Sequence, residues 1–264
     1  MTPEREREHE HEREQLIAEI DAHRESRQRR LTSPSGWLSI IAKVWLSEGE
    51  HDVGSRSGAA IPLPAGAAPP LLGRVTVSQG VVHFAAAPGV TVFADGRPIE
   101  SLILRSDVEE SPTTLTSGTL SVQLLRRGDE VAIRVRDAAS PALAAFAGIP
   151  SYPVDPAWRV VARLERFAPP NRNAHTGGPS HDRAVVYQDT DGRPQPYLSP
   201  GVAVFDKDGV TCRLELVYEG DRRRLFLLFR DASNADETYG GGRFLYVPIP
   251  EDEGAAGDDS VVLD

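Results

Sequence analysis

The sequence is poor in cysteine, in aromatic residues and in long apolar runs, and each shortage removes a class of protein. A single cysteine, Cys212, stands among 264 residues, so no intrachain disulfide can form. No stretch approaches the ~20 consecutive apolar residues that a membrane-spanning helix needs. The charged N-terminus also lacks the apolar core of a secretory signal peptide. We therefore expect a cytoplasmic protein with no membrane partner.

The chain also lacks an excess of positive charge. Its formal net charge is −10 at pH 7, whereas nucleic-acid binding depends on a concentrated basic face that neutralises phosphates. We therefore expect no nucleic-acid partner.

Common catalytic and cofactor motifs are missing as well. There is no G-x-S-x-G nucleophile elbow, no G-x-x-x-x-G-K-[ST] phosphate loop and no H-E-x-x-H metal motif. Cys212 lies in the alternating run VTCRLELVY, which predicts a small buried side chain and not a nucleophile. His175, His181 and Asp182 share one segment but do not make a closed four-ligand set, so we interpret that segment as a polar loop. The sequence predicts no metal and no cofactor, and we assign no catalytic residue.

A charged segment without glycine opens the chain. Leu16, Ile17 and Ile20 are spaced as on one side of a helix, among Glu, Arg, His and Gln. Glutamates crowd the start and arginines the end, which complements the helix dipole. The pattern predicts one long, mostly solvated helix over residues 1–32, which either covers an edge of the domain or forms a dimerisation arm.

The remainder is rich in short β-forming runs separated by turn signals. Runs such as RVTVS, VVHFAA and VAIRVRD recur every ~8–12 residues between breaks such as SQG and ADGRP, which is typical of antiparallel sandwiches and barrels. The apolar stretch that begins at Trp37 suits a helix or a buried strand equally. We predict a mainly β protein with a first β unit at 33–137, a connecting segment at 138–158 and a second β unit at 159–264.

Two arginines in the run AIRVRD are candidates for binding an anion. Arg134 and Arg136 alternate with apolar residues, so they share one face of the strand. Paired arginines on a sheet face clamp carboxylates or phosphates, or else they pair with acids on the neighbouring strand. We take Arg136 and the adjacent Asp137 as candidate ligand-binding residues.

The segment DASNADETYGGGR is longer than a hairpin turn requires, and loops of this size are often functional. Its glycines permit positive φ and bring backbone N–H groups close to a partner, as in an anion-binding nest. The arginine supplies charge at the same place, and the tyrosine or the first aspartate would donate or accept a proton. The candidate ligand-binding residues of this loop are Asp231, Thr238, Tyr239, Gly240, Gly242 and Arg243. The alternative is a structural corner in which Arg243 pairs with Asp231 or Asp236.

Three stretches of the chain resemble the DUF1684 family: PSGWLSIIAKVWLSEGEHDVGS, VRDAASPALAAFAGIPSYPVDPAWRVVARLERF and RDASNADETYGGGRFLYV. The resemblance runs from about Ser33 to Asp264. It is most specific where the family has an acid, then Thr-Tyr-Gly, then Gly-Arg-[FY]-Leu. The matching residues here are Asp231, Thr238, Tyr239, Gly240, Gly242, Arg243, Phe244 and Leu245.

This resemblance implies a bacterial or archaeal protein of uncharacterised function. The family pattern continues with Asp-Phe-Asn and then Asn-x-Pro-Cys-Ala, whereas this sequence ends at VVLD. Either the protein is truncated relative to the family pattern or the remainder lies outside this sequence. If the missing segment completes a site, we expect that site to be impaired in this version.

A weaker resemblance, to the forkhead-associated sandwich, lies in LSEGEHDVGS, GRVTVSQGVVHF and VTVFADGRPI. It implies architecture only, because Ser55 stands where that fold has its phosphate-reading arginine.

Two hypotheses for function follow. In the first, the protein binds a small anionic molecule at the Asp231–Arg243 loop, whether or not it is an enzyme. In the alternative, it is a non-catalytic interaction module in which the loop is a structural corner, and it forms homo-oligomers through the N-terminal helix or a sheet edge. A pocket containing Arg243 and a carboxylate favours the first hypothesis, and a closed Arg243–Asp ion pair favours the second.

Overall fold

The computed structural model describes residues 3–167, 182–188, 192–220, 222–250 and 259–263. The chain divides into two compact units, Met1–Tyr152 and Pro153–Asp264. The division falls within the predicted connecting segment. His175 and His181 lie outside the described residues, so the interpretation of their loop stays a prediction.

The first unit begins with helix α1 (Pro3–Thr32), which confirms the predicted long helix. Leu16 is 6% exposed, and Ile17 and Ile20 are half-buried, so the predicted apolar stripe is the packing side of α1. Arg24 donates from Nη2 to the carbonyl oxygen of Tyr152 at 2.7 Å, which ties α1 to the end of its own unit. Within the described part of the chain, no helix is both long and apolar enough to cross a membrane.

The rest of the first unit is built from antiparallel strands that follow a short 3-10 turn at Trp37–Ser39. Their bounds are β1 (Ile40–Leu46), β2 (Gly49–Gly54), β3 (Ile61–Pro62), β4 (Gly73–Ser78), β5 (Val81–Ala86), β6 (Val92–Ala94), β7 (Arg97–Ile99), β8 (Ser101–Ile103), β9 (Thr114–Ser117), β10 (Leu120–Arg127) and β11 (Glu130–Asp137). Strand β3 pairs with β2 in parallel. The apolar stretch after Trp37 contains β1 and so forms a strand and not a helix.

Two sheets enclose the core of the first unit. One has the order β1-β11-β10-β9-β6-β7 and the other β3-β2-β4-β5-β8. Val75 and Phe84 from the second sheet join Leu115, Leu124 and Ile133 from the first in one buried cluster. Side chains alternate across a strand, so the inward position of Ile133 places its neighbours on the outer face of β11.

A connection containing helix α2 (Pro141–Ala144) follows β11, and a 3-10 turn at Pro156–Trp158 opens the second unit. Both begin with a capping side chain and a proline, the combination that favours a helix start. The hydroxyl of Ser140 accepts from the N–H of Ala142 at 3.4 Å. The carboxylate of Asp155 accepts from the N–H of Ala157 at 3.0 Å.

The second unit consists of β12 (Val160–Arg166), β13 (Arg183–Gln188), β14 (Pro194–Ser199), β15 (Gly201–Lys207), β16 (Val210–Tyr218), β17 (Arg224–Phe229), β18 (Arg243–Pro248) and β19 (Ser260–Leu263). Its main sheet has the order β18-β17-β16-β15-β12-β19, while β13 and β14 form a separate hairpin. The end strands β18 and β19 approach each other, so the sheet curls around a core that includes Leu216, Leu227 and Val261.

These elements confirm the prediction of a mainly β protein with antiparallel sheets behind an N-terminal helix. Predicted runs such as VVHFAA and VTCRLELVY coincide with β5 and β16. Strand β14 was missed because Pro194 and Pro196 argue against a strand in the interior of a sheet, and the strand lies instead in a two-stranded hairpin. Cys212 is half-buried, whereas the sequence predicted a buried side chain.

Candidate functional site

The Asp231–Arg243 loop connects β17 to β18. These strands pair from Arg224↔Pro248 to Phe229↔Arg243, so residues 230–242 form the connection and Arg243 is the first residue of the returning strand. Strand β17 lies between β16 and β18 in the sheet. The base of the loop is therefore fixed by two neighbouring strands.

Asp231 organises the base of this loop. Its Oδ2 accepts from Arg243 Nη1 at 2.8 Å, and its Oδ1 accepts from the N–H and the hydroxyl of Ser233 at 2.9 and 2.5 Å. The Ser233 hydroxyl, and after it the Ser233 N–H and Arg243, lower the pKa of Asp231, while partial burial acts in the opposite direction. Both members of the ion pair remain half-exposed, with 38% of Asp231 and 39% of Arg243 accessible.

Thr238 belongs to the interior of the loop. Its hydroxyl oxygen lies 3.0 Å from the hydroxyl of Ser233 and accepts from Asn234 Nδ2 at 3.2 Å. The same Asn234 amide donates to the carbonyl of Tyr239 at 2.8 Å, and its Oδ1 accepts from the N–H of Asp231 at 2.6 Å. The polar side chains predicted to face a ligand therefore largely satisfy one another.

The three glycines have geometric roles in the turn. Gly242 has φ +128°, and a Cβ there would lie 3.0 Å from the carbonyl oxygen of Phe229, so this position requires glycine. A Cβ on Gly241 would lie 2.4 Å from the ring of Tyr239. Gly240 has only ordinary space around it. The N–H of Gly242 donates to the carbonyl of Tyr239 at 3.1 Å, so it is used by the turn itself.

The loop thus adopts the closed of the two arrangements that the sequence allowed. Asp231 and Arg243 are in contact, Thr238 joins them through Ser233, and Tyr239 is 78% exposed. The guanidinium of Arg243 also stacks over the ring of Phe229, with 5.3 Å between the charge centre and the ring centroid. A groove of about 640 Å³ in the described structure lies in the first unit instead, lined by Arg97, Arg105 and apolar residues of β7 and β8.

The second set of candidates lies in the first unit, on the outer face of β11. Arg134 Nη2 and Arg136 Nη1 both donate to Oε1 of Gln123 at 2.8 Å. Gln123 lies on β10 opposite Arg134, and its Nε2 donates to the hydroxyl of Thr114 at 2.9 Å. The Thr114 contact fixes the amide so that its oxygen faces both guanidinium groups. We call Arg134, Arg136, Gln123 and Thr114 the arginine pair site.

No carboxylate among the described residues accepts a hydrogen bond from either arginine of this site, and the acid whose charge reaches Arg134 is Asp107, which is itself paired with Arg127. Among the described residues, Gln123 is the acceptor of both arginines, and the buried Nε atoms of Arg134 and Arg136 have no hydrogen-bond partner. Burial lowers the pKa of both guanidinium groups. The negative charge of Asp107 opposes this effect at Arg134, and the positive charge of Arg134 adds to it at Arg136. Lys43 lies opposite Arg134 on β1 and adds a further positive charge to this face.

Asp137 has a structural role at the end of β11. It is 4% exposed, and its Oδ1 accepts from the N–H of Ala139 at 2.9 Å, which stabilises the turn after the strand. Consecutive strand residues point to opposite faces, so Asp137 and Arg136 do not share a face. In the described part of the chain, no group of three or more His, Cys, Asp or Glu side chains is arranged to hold a metal ion.

Several residues of both clusters were missed from the sequence. Ser233 and Asn234 give no pattern beyond a turn-forming composition. Gln123 had a usable signal, because the tight turn at Gly128 sets the register of the β10–β11 hairpin and so places Gln123 opposite Arg134.

An exposed aromatic surface lies on the outer side of β17 and β18. The rings of Phe226, Phe244 and Tyr246 contact one another with centroids 5.5–5.6 Å apart, and Phe244 and Tyr246 are 47% and 43% exposed. The guanidinium of Arg224 stacks on Tyr246 at 3.8 Å and is paired with Glu219. We call these three rings together with Arg224 the aromatic face.

Comparison with known proteins finds a family match for the C-terminal part of the chain. Residues 144–264 match the model of the family described as "Protein of unknown function (DUF1684)". The resemblance inferred from the sequence is thus confirmed for those residues, a narrower range than the one expected from about Ser33. The forkhead-associated resemblance stays a prediction.

One solved structure similar to part of this chain is the solution NMR structure of an uncharacterized protein from Haloarcula marismortui. It is 26% identical, and the match covers 46% of this chain and 59% of that protein, with a TM-score of 0.33. The match therefore spans less than two thirds of that protein. No curated protein matches the chain.

Proposed function

We propose that the second unit is a non-catalytic interaction module, in which the Asp231–Arg243 loop is a structural corner and the aromatic face is the contact surface. The closed ion pair between Asp231 and Arg243 at 2.8 Å carries this proposal, because it engages the cation and the carboxylate that a ligand site would need. The hydroxyl of Thr238 is engaged within the loop in the same way.

The composition of the aromatic face supports its role in binding. Phenylalanine, tyrosine and arginine are enriched in the centres of protein–protein interfaces. Contiguous exposed apolar surface on a folded unit marks interaction sites more often than isolated exposed residues do. Phe226 on β17 lies opposite Tyr246 on β18, and its ring contacts those of both Tyr246 and Phe244, so the three rings form one continuous patch.

A second copy of this chain is the partner that the aromatic face fits best. Two-fold association brings the same patch of each subunit together, so any unbalanced charge at the centre would face its own copy. Here Arg224 is already paired with Glu219, and the rings of Phe226 and Phe244 carry no charge. A self-contact therefore buries apolar rings without placing unpaired like charges in opposition.

Sedimentation velocity over a protein concentration series tests this proposal. We expect the wild-type protein to dimerise and Phe244→Thr, which keeps a strand-forming residue, to weaken the dimer at least about tenfold. Val161→Thr is the matched control, since Val161 is 68% exposed on β12 of the same sheet, and it should dimerise like the wild type. A wild-type protein that stays monomeric at high concentration, or one that Phe244→Thr leaves unchanged, would contradict the proposal.

Binding of a small anion at the Asp231–Arg243 loop is the second candidate function. The observation in its favour is that Arg243 remains 39% exposed beside Asp231, with the exposed Tyr239 in the same loop. A ligand at about 100 times its Kd adds roughly 2.7 kcal/mol of stability to the state that binds it. A thermal-shift screen of carboxylates, sugar phosphates and nucleotides on wild type and on Arg243→Ala tests this function. A compound that stabilises only the wild type would favour it over the corner.

We also propose a cytoplasmic location. The single cysteine suits it, because the fold needs no oxidising compartment to form disulfides. Fractionation of the producing cells tests this location, and recovery of the protein outside the cytoplasm would contradict it.

A further inference from the structure

We propose that the arginine pair site binds the oxyanion group, a carboxylate or a phosphate, of a small ligand. The site lies in the first unit and does not depend on the interaction proposed for the second. Arg134 and Arg136 reach it from β11, and Gln123 and Thr114 reach it from β10 and β9.

The first step of the argument is the shortage of acceptors. Each guanidinium carries five N–H donors, and in the described structure the two groups share one amide oxygen at 2.8 Å each. The buried Nε of each arginine has no partner. Buried donors without acceptors are rare in folded proteins, and an absent ion or water is one of the ordinary explanations.

The second step is electrostatic. The donating nitrogens of Arg134 and Arg136 lie within two hydrogen-bond lengths of each other, since both contact the same oxygen. Other arginines of the same unit differ, because Arg74 contacts Asp52 and Glu50, and Arg127 contacts Asp107. An anion beside the pair removes the repulsion between the two guanidinium groups and supplies acceptors to both. Burial is the main cause of the lowered pKa of each group, and at Arg136 the positive charge of Arg134 lowers the pKa further.

The third step concerns the class of ligand. Guanidinium groups bind carboxylate and phosphate oxygens through two parallel hydrogen bonds. Gln123 offers a neutral oxygen that Thr114 holds in place, so it orients the two arginines without neutralising them. A site built only as a structural network would be expected to carry Glu at this position, which would accept the same bonds and balance a charge.

Binding is measured by calorimetry and thermal shift on the full chain. Sodium phosphate and sodium succinate are compared with sodium chloride at the same ionic strength, so that a specific anion is separated from screening and phosphate from carboxylate. Arg136→Gln removes one guanidinium. Gln123→Glu keeps the shape of the side chain and supplies an internal carboxylate in place of the ligand. Arg97→Gln is the matched control, since Arg97 is exposed on β7 of the same sheet.

We expect phosphate or succinate to bind the wild type, and both Arg136→Gln and Gln123→Glu to weaken that binding at least about tenfold. Gln123→Glu should also melt higher than wild type in buffer without these anions. Arg97→Gln and Arg243→Ala should bind like the wild type. The proposal is overturned if neither phosphate nor succinate binds the wild type more tightly than chloride does. It is also overturned if Gln123→Glu binds phosphate or succinate as tightly as the wild type does. It is also overturned if Arg243→Ala alone abolishes binding, which would place the anion at the loop.

Discussion

The structural-corner account predicts that Asp231 contributes more to stability than the arginine it pairs with. Asp231→Ala removes the contact with Arg243 at 2.8 Å and also the two hydrogen bonds from Ser233 at 2.9 and 2.5 Å. Arg243→Met removes the ion pair and replaces the guanidinium over Phe229 with an aliphatic chain, but it leaves both hydrogen bonds from Ser233 to Asp231 in place. The two substitutions therefore separate the role of the carboxylate as an anchor from its role as a counter-charge.

The expected magnitudes follow from the exposure of the pair. A half-exposed ion pair contributes about 0.2–1 kcal/mol, and we expect that loss for Arg243→Met. The hydrogen bonds from Ser233 add about 0.5–1.5 kcal/mol each when well formed. With a discount for exposure, Asp231→Ala should lose about 1–2 kcal/mol in total. For a unit of this size, roughly 4 °C of melting temperature corresponds to 1 kcal/mol.

Urea and thermal unfolding followed by circular dichroism measure these losses. The chain has two compact units, so the data are fitted with two transitions and the one that moves is assigned to the second unit. The double variant completes a thermodynamic cycle, in which we expect a coupling of about 0.2–1 kcal/mol between Asp231 and Arg243. The reasoning is refuted if Asp231→Ala melts with the wild type, or if Arg243→Met costs as much as Asp231→Ala.

Three further predictions concern the second unit. Gly242→Ala should lower the free energy of unfolding by about 1–2 kcal/mol, because Gly242 has φ +128° and an added Cβ would meet the Phe229 carbonyl oxygen. Gly220→Ala is the control, since Gly220 has open space and no positive φ, and it should change the free energy of unfolding by less than about 0.5 kcal/mol in the same assay. Leu227 is 0% exposed, so Leu227→Ala should lower the free energy of unfolding by about 2–5 kcal/mol. Its neighbour Leu228 is 36% exposed, so Leu228→Ala should lower it by less than about 1.5 kcal/mol. Equal losses would contradict the assigned faces of β17. The free energy of unfolding of the wild type should exceed that of Asp231→Ala by its full amount above the ordinary aspartate pKa of 3.8. This difference should shrink as pH falls through the lowered pKa of Asp231 in the folded state, and a difference that grows in acid would contradict the prediction.

Most of the fold could be predicted because the strands are marked by local signals. Runs such as VVHFAA and VTCRLELVY combine β-forming residues with explicit turns at both ends, and they coincide with β5 and β16. The exceptions are elements whose existence depends on a neighbour. Strand β3 spans only Ile61–Pro62 and exists through its pairing with β2, and β14 carries two prolines that only an edge position tolerates.

The candidate sites were less predictable because their chemistry depends on which side chains pair with one another. The sequence placed acid, hydroxyl and arginine in one loop, but it did not decide whether they face a ligand or each other, and the structure places Asp231 against Arg243. It placed Arg134 and Arg136 on one face, but the choice between an acid and Gln123 as their neighbour lies in the hairpin register. The position of the turn at Gly128 sets that register, whereas the composition of the strands does not.

Anion binding by the wild type, Arg136→Gln and Arg243→Ala in one phosphate and succinate titration tests the central claim most directly. That claim is that the free anion-binding capacity lies at the arginine pair site, while the Asp231–Arg243 pair closes a corner. We predict that Arg136→Gln loses binding and that Arg243→Ala keeps it at reduced stability. Binding that survives in Arg136→Gln and disappears in a folded Arg243→Ala would contradict the account and return the site to the loop.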